Sequence, residues 1–220
     1  PITRTHFAQQ VRHHLAAGAE LNVECGMLKE GGPSEADTPP STFNLQPSTT
    51  LNSLINCSAL QRLGSTADVT PDDWQRTLDI NLSAPFWLTQ TFLPELEAAR
   101  GCVINIGSIH ARLTKPGFVA YATSKAALDG LTRALAVDLG GRVRVNAIAP
   151  AAISTPMLEA GFEGRPEARR RLDEYHPAGR IGQPAEVARL ARFLAEADGF
   201  LTGSTFALDG AIASRLHDPA

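Results

Sequence analysis

A phenol and an ammonium stand four positions apart in "YATSK", residues 121–125. On a helix, Tyr121 and Lys125 share one face about one turn apart, which brings the amine near the phenol oxygen. A neighbouring positive charge favours phenolate and lowers a pKa that starts near ~10, so the pair offers an acid or base usable near neutrality. The same spacing on a solvated helix would be two surface residues. The elements around the pair decide between these readings.

Those elements alternate. "LNSLINCSA" reads as a buried strand ending in small polar residues, and "GCVINIGS" and "RVRVNAIAP" as two more. "AYATSKAALDGLTRALAVDLGG" is a helix closed by glycines, and "TPDDWQRTLDINLSAPFWLTQTFLPELEAAR" opens with Thr70 as N-cap and Pro71 at the first helical position, with a bend or break near Pro85. "QPAEVARLARFLAEA" and "STFALDG" add a helix and a strand. Alternation of this kind predicts an α/β fold with a doubly wound parallel sheet, Rossmann-like. In such a sheet the binding groups collect just after the strands, here Asn56 to Ala59, Ser108, and Pro150 to Thr155. Upstream, Phe7, Val11 and Leu15 suit an amphipathic helix stopped at Gly18, "ELNVE" a short strand, and residues 26–50 show no sustained period.

The chain has 220 residues, 43% hydrophobic and 20% charged, which fits one domain with a sizeable core. A net charge of −3 supplies no basic field for nucleic acid or an anionic membrane, and "RPEARRR" at 165–171 reads as a solvated helix face. Three scattered cysteines make neither a disulfide framework nor a metal site. With no apolar run of membrane-spanning length and no leader-like opening, the expectation is a cytoplasmic protein with no membrane partner.

Taken together, these residues resemble the short-chain dehydrogenase/reductase family. Tyr121 and Lys125 match its Tyr-x-x-x-Lys, Ser108 its serine 13 residues before the tyrosine, and Asn81 its helical asparagine 27 residues before that serine. "NCSA" at 56–59 corresponds to its Asn-Asn-Ala-Gly, "RVNAIAPAAIST" to its Arg-Val-Asn-x-x-x-Pro-Gly, and "LTGSTFALDGA" to its closing motif, so the match runs from about residue 51 to 210. The resemblance implies NAD or NADP as cofactor and a small carbonyl/alcohol substrate. It implies that Tyr121 moves the proton, Ser108 holds the substrate oxygen, Lys125 lowers the tyrosine pKa and bonds the nicotinamide ribose, and Asn81 holds a relay water. Asn56, Ser58 and Ala59 would line the adenosine side, Pro150, Ile153 and Thr155 the nicotinamide side, and Tyr121 and Lys125 complete the cofactor contacts. Substrate contacts would be Ser108, Tyr121, Met157 and His110, although His110 suits a turn as well. Tyr175 and His176 either reach the substrate or pack against the body. A homo-oligomer, tetramer or dimer, would form through the helices around 71–99 and 119–139.

The departures lie upstream. The family's glycine-rich cofactor loop is absent, and no glycine precedes Gly18. "STFNLQPS" and "LNSLINCSA" resemble consecutive parallel strands, yet the few residues between them cannot make a crossover. The sequence therefore predicts a single domain over 1–220 with its N-terminal part incomplete and segments of the parent fold missing. Within it, 1–50 is the degraded nucleotide-binding part, 51–155 the catalytic core, 156–183 the substrate lid, and 184–220 the last helix, strand and tail. The alternative is a protein of this fold that has lost dinucleotide binding and serves as a scaffold, or that uses the four residues for cofactor-free acid–base chemistry.

Overall fold

A computed structural model of the protein describes residues 51–216, with Met157 described by its backbone alone. The expectations for residues 1–50, including the missing crossover before Leu54, and for the last residues of the tail lie outside the described residues.

Among the described residues, four strands form one parallel sheet in the order β1 (Ser53–Asn56), β2 (Cys102–Ile106), β3 (Arg144–Pro150), β4 (Thr205–Leu208). The register sets Leu54 beside Val103 and Asn56 beside Asn105. It continues from Val103 to Val145 and from Asn105 to Ala147. Strand β2 is apolar except at Asn105 and is buried from Cys102 to Asn105, as a central strand covered on both faces must be.

Between β1 and β2 the chain makes α1 (Pro71–Leu78), a π-helical turn (Asp79–Ser83), α2 (Ala84–Thr91) and α3 (Leu93–Ala99). Thr70 caps α1 by accepting from the Asp73 N–H at 3.1 Å. The break expected near Pro85 falls in the turn just before it. In an α-helix the Asn81 carbonyl would accept from the N–H of residue 85, and proline has none. The ladder widens instead, and the Ala84 N–H bonds Asp79 O. At the far end of α3, Gly101 lets β1 approach closely, since a Cβ there would lie 2.7 Å from Leu51 O.

Helix α4 (Val119–Leu139) joins β2 to β3. Its buried stripe is Ala120, Ser124, Lys125, Leu128, Thr132, Leu135, Ala136 and Leu139, polar toward its start and apolar toward its end. After β3 come α5 (Pro156–Ala160), α6 (Pro166–Tyr175) and α7 (Pro184–Glu196). The core has two parts. Leu54, Leu96, Val103, Val145, Leu135 and Leu139 cluster on the α4 side, whereas Cys102, Ile104 and Ile148 meet Ala191 and Leu194 of α7. Successive residues of β2 thus point to opposite faces. Helix α6 buries no residue, and its arginines pair with Glu167, Glu174, Glu159 and Asp173, so "RPEARRR" is a solvated face. Among the described residues no helix is long and apolar enough to cross a membrane.

Candidate active site

The parallel sheet delivers its strand ends to one edge, and the polar residues gather there. Ser108 lies two residues past β2 in extended backbone (φ −166°, ψ 156°) and caps a short 3₁₀ turn, Ile109–Ala111, accepting from the His110 N–H at 3.2 Å. Tyr121 is in the first turn of α4, and its phenol shares a hydrogen bond with Ser108. One turn on, Lys125 is 2% exposed and donates from Nζ to Ile106 O at 2.8 Å, at the end of β2. Its Nζ is 5.8 Å from the Tyr121 ring centroid.

Asn81 is fully buried, and its carboxamide is committed to structure. Oδ1 accepts from Leu60 N at 2.7 Å, and Nδ2 donates to Leu60 O and to Ser124 Oγ, each at 2.9 Å. Ser124 in turn donates to Tyr121 O at 2.7 Å. Asn81 therefore stitches the loop after β1 to the turn of α4 that carries Tyr121 and Lys125. The Asn81 carbonyl lacks its α-helical donor, because Pro85 has no N–H.

The electrostatics differ from the expectation at Tyr121. Burial pushes the phenol above its ordinary 10.0, and the Ser108 hydrogen bond only partly opposes this. The ammonium was expected to lower it, but Lys125 is directed to Ile106 O, and desolvation of the phenolate prevails. Tyr121 is thus a neutral phenol at physiological pH.

On the prospective cofactor side, Asn56 is buried at the end of β1 and donates from Nδ2 to Asn105 Oδ1 at 2.8 Å. Asn105 donates to Thr132 Oγ1 at 3.0 Å, and Thr132 donates to Leu128 O. The other atom of that amide, Asn56 Oδ1, is buried with no partner among the described residues. Ser58 and Ala59 are exposed, and Pro150 is buried as the last residue of β3. Ile153 makes a parallel bridge with Gly182, bonded through Ala152 O and Ser154 N at 2.9 Å. Ile153 therefore turns its own N–H and C=O away from Gly182, and neither is hydrogen-bonded among the described residues. A Cβ at Gly182 would fall 2.5 Å from Ile153 Cδ1, so any larger residue there would displace the tip of the Ile153 side chain. Thr155 caps α5, its Oγ1 accepting from Leu158 N at 3.2 Å while its proton stays available.

On the prospective substrate side, the His110 ring lies beside Tyr121, with centroids 5.7 Å apart. The side chain of Met157 lies outside the described residues. Tyr175 is 56% exposed, whereas His176 is 2% exposed, its Nδ1 lying 2.8 Å from Leu172 O. The sequence reading passed over Leu60, Ser124, Ile106, Asn105 and Thr132, all of which hold a candidate residue in place. Only tertiary contacts reveal them. No group of three or more His, Cys, Asp or Glu is placed to hold a metal among the described residues.

A family model described as Enoyl-(Acyl carrier protein) reductase matches residues 45–212. Dehydrogenase/reductase SDR family member 4 of Homo sapiens is 38% identical over 156 residues, 70% of this chain and 56% of that protein. The chain thus spans little more than half the length of that relative. Among solved structures, ligand-free aldohexose dehydrogenase of Thermoplasma acidophilum aligns with a TM-score of 0.75 and 29% identity, over 78% of this chain and 71% of that one. Gluconate 5-dehydrogenase of Burkholderia cenocepacia J2315, solved with NADP and tartrate, aligns with a TM-score of 0.70 and 30% identity, over 77% and 68%.

Proposed function

The chain belongs to the short-chain dehydrogenase/reductase family, and from that premise we propose that it is an NAD(P)-dependent oxidoreductase interconverting a carbonyl compound and an alcohol. The observation that carries this reading is Tyr121, a neutral phenol hydrogen-bonded to Ser108 with the buried Lys125 amine beneath it. NADP in the gluconate dehydrogenase neighbour supports the cofactor class.

The residues fit the nicotinamide end of such a cofactor. The unpaired N–H and C=O of Ile153 match a carboxamide, which both accepts and donates, with the Thr155 hydroxyl beside them. The orphaned Asn56 Oδ1 offers an acceptor for a ribose or adenine donor, near Ser58 and Ala59. Lys125 would bond the nicotinamide ribose. When bound, the nicotinamide supplies or takes the hydride at the reacting carbon.

The chain's own residues manage the oxygen. In reduction, Ser108 Oγ and Tyr121 Oη hydrogen-bond the carbonyl oxygen and fix the carbon in place. As negative charge grows on that oxygen, Tyr121 gives up its proton and the alcohol forms. Lys125 then stabilises the phenolate, which regains a proton through the Lys125 side and water held at the Asn81 backbone. In oxidation the same steps run backwards. A homo-oligomer built through the helices within 71–99 and 119–139 completes the reading. The test is NADPH and NADH oxidation over a panel of ketones and aldehydes, with the wild-type chain and Tyr121→Phe. Turnover that disappears in Tyr121→Phe supports the assignment; equal turnover in both overturns it.

A further inference from the structure

His110 is held more firmly than a turn residue needs to be. Its N–H donates to Ser108 Oγ at 3.2 Å, which tethers it to the group that would hold the reacting oxygen. Its ring stacks on Phe118 at 4.4 Å with an interplanar angle of 1°, and meets Tyr121 edge-on at 5.7 Å and 76°. Its Nδ1 is 3.0 Å from Thr114 Oγ1. Two rings and one hydroxyl thus fix the imidazole plane and occupy one nitrogen. Its Nε2 has no hydrogen-bond partner among the described residues. Burial, assisted by the charge of Lys115, holds the imidazole below its ordinary 6.5, so the ring is neutral at physiological pH.

Resting on the oxidoreductase reading above, we propose that His110 is a specificity residue: its Nε2 hydrogen-bonds a second oxygen of the substrate, so that hydroxy-ketones and the matching vicinal diols are preferred over compounds with a single oxygen. The chemistry of the ring selects that class. A neutral imidazole presents either a donor or an acceptor at Nε2, according to which way the Thr114 hydroxyl turns. A hydroxyl satisfies both states, whereas a carboxylate only accepts and a hydrocarbon satisfies neither. An imidazolium would favour the carboxylate, but burial disfavours that form here. The stack on Phe118 and the bond to Thr114 preset the ring, so little freedom is lost on binding.

One neutral hydrogen bond at a half-buried ring is worth a discrimination of roughly three- to tenfold. The experiment compares 2-hydroxycyclohexanone with cyclohexanone as probes for the full chain, with whichever of NADPH and NADH it oxidises. His110→Phe keeps the ring contacts and removes both nitrogens; His110→Gln keeps a hydrogen-bonding group. The expected result is a wild-type preference in kcat/KM for the hydroxy-ketone, carried by KM. That ratio should fall roughly three- to tenfold in His110→Phe and recover in part in His110→Gln. Because the ratio is internal to each variant, a loss of folded protein cancels. A wild type that reduces both ketones alike, or a ratio unmoved in His110→Phe, overturns the assignment and leaves the oxidoreductase reading standing. A chain that binds the nicotinamide but leaves the hydroxy-ketone unreduced overturns the substrate class. A chain that neither binds a nicotinamide nor reduces either probe removes the underlying reading and this inference with it.

Discussion

The two faces of the sheet are both buried, but they are buried differently. Against one face, α4 lays Ser124, Lys125 and Thr132, with Asn81 bonded to Ser124 and Asn105 to Thr132. Against the other, α7 lays Ala191 and Leu194 on Cys102, Ile104 and Ile148. Burying a polar group without a partner costs about 1–3 kcal/mol, so the first face is stable only because nearly every such atom is hydrogen-bonded. The contrast repeats along α4 itself, where Ser124 and Lys125 give way to Leu135, Ala136 and Leu139. The polar part is the part nearest the strand ends. The difference separates a face that holds the sheet together from one that also positions a phenol, a hydroxyl and an amine.

Substitutions on the two faces should therefore fail in different ways. The largest effect is expected for Lys125→Met, which fills the site without the amine: steady-state assays should show kcat lower by roughly 10²- to 10⁴-fold, with folding retained. Leu194→Ala, at a fully buried position, should destabilise the protein by about 2–5 kcal/mol in denaturant unfolding, with kcat of the folded fraction preserved. If Leu194→Ala instead abolished turnover at unchanged stability, the division between the faces would break. Thr132→Val is a smaller probe within the polar face. It removes the acceptor for Asn105 Nδ2, and should cost about 1–3 kcal/mol in the same unfolding measurement. The smallest effect belongs to Glu186, whose bond to Arg180, with the Gln183 N–H, holds its carboxyl down to about 2 from an ordinary 4.5. Because the folded pKa is depressed, its contribution is present above 4.5 and lost as pH falls toward 2. The thermal midpoint of Glu186→Gln should lie below wild type at neutral pH, and the gap should close across that acid range.

Much of this division was legible in the sequence, for local reasons. Spacing placed Tyr121 and Lys125 on one helical face, and strand–helix alternation fixed the parallel sheet. Pro85 announced the break at 79–83 because a missing N–H is a property of the chain itself. What stayed hidden depends on distant contacts. The phenol pKa rises rather than falls because of burial that no spacing encodes. The Asn81 carboxamide is spent on Leu60, 21 residues away, and on Ser124, 43 residues away. His176 packs inward and Tyr175 outward although they are adjacent, since only the end of α6 and the body it meets decide which one turns in.

The most direct test of the oxidoreductase reading is a fluorescence titration of the purified, mass-verified chain with NADPH and NADH, alongside Lys125→Met. The account predicts saturable binding of at least one nucleotide by the wild type, weakened in Lys125→Met. Absence of binding up to millimolar nucleotide would contradict it, and would leave Asn81, Ser108, Tyr121 and Lys125 to a scaffold or to acid–base chemistry without a hydride carrier.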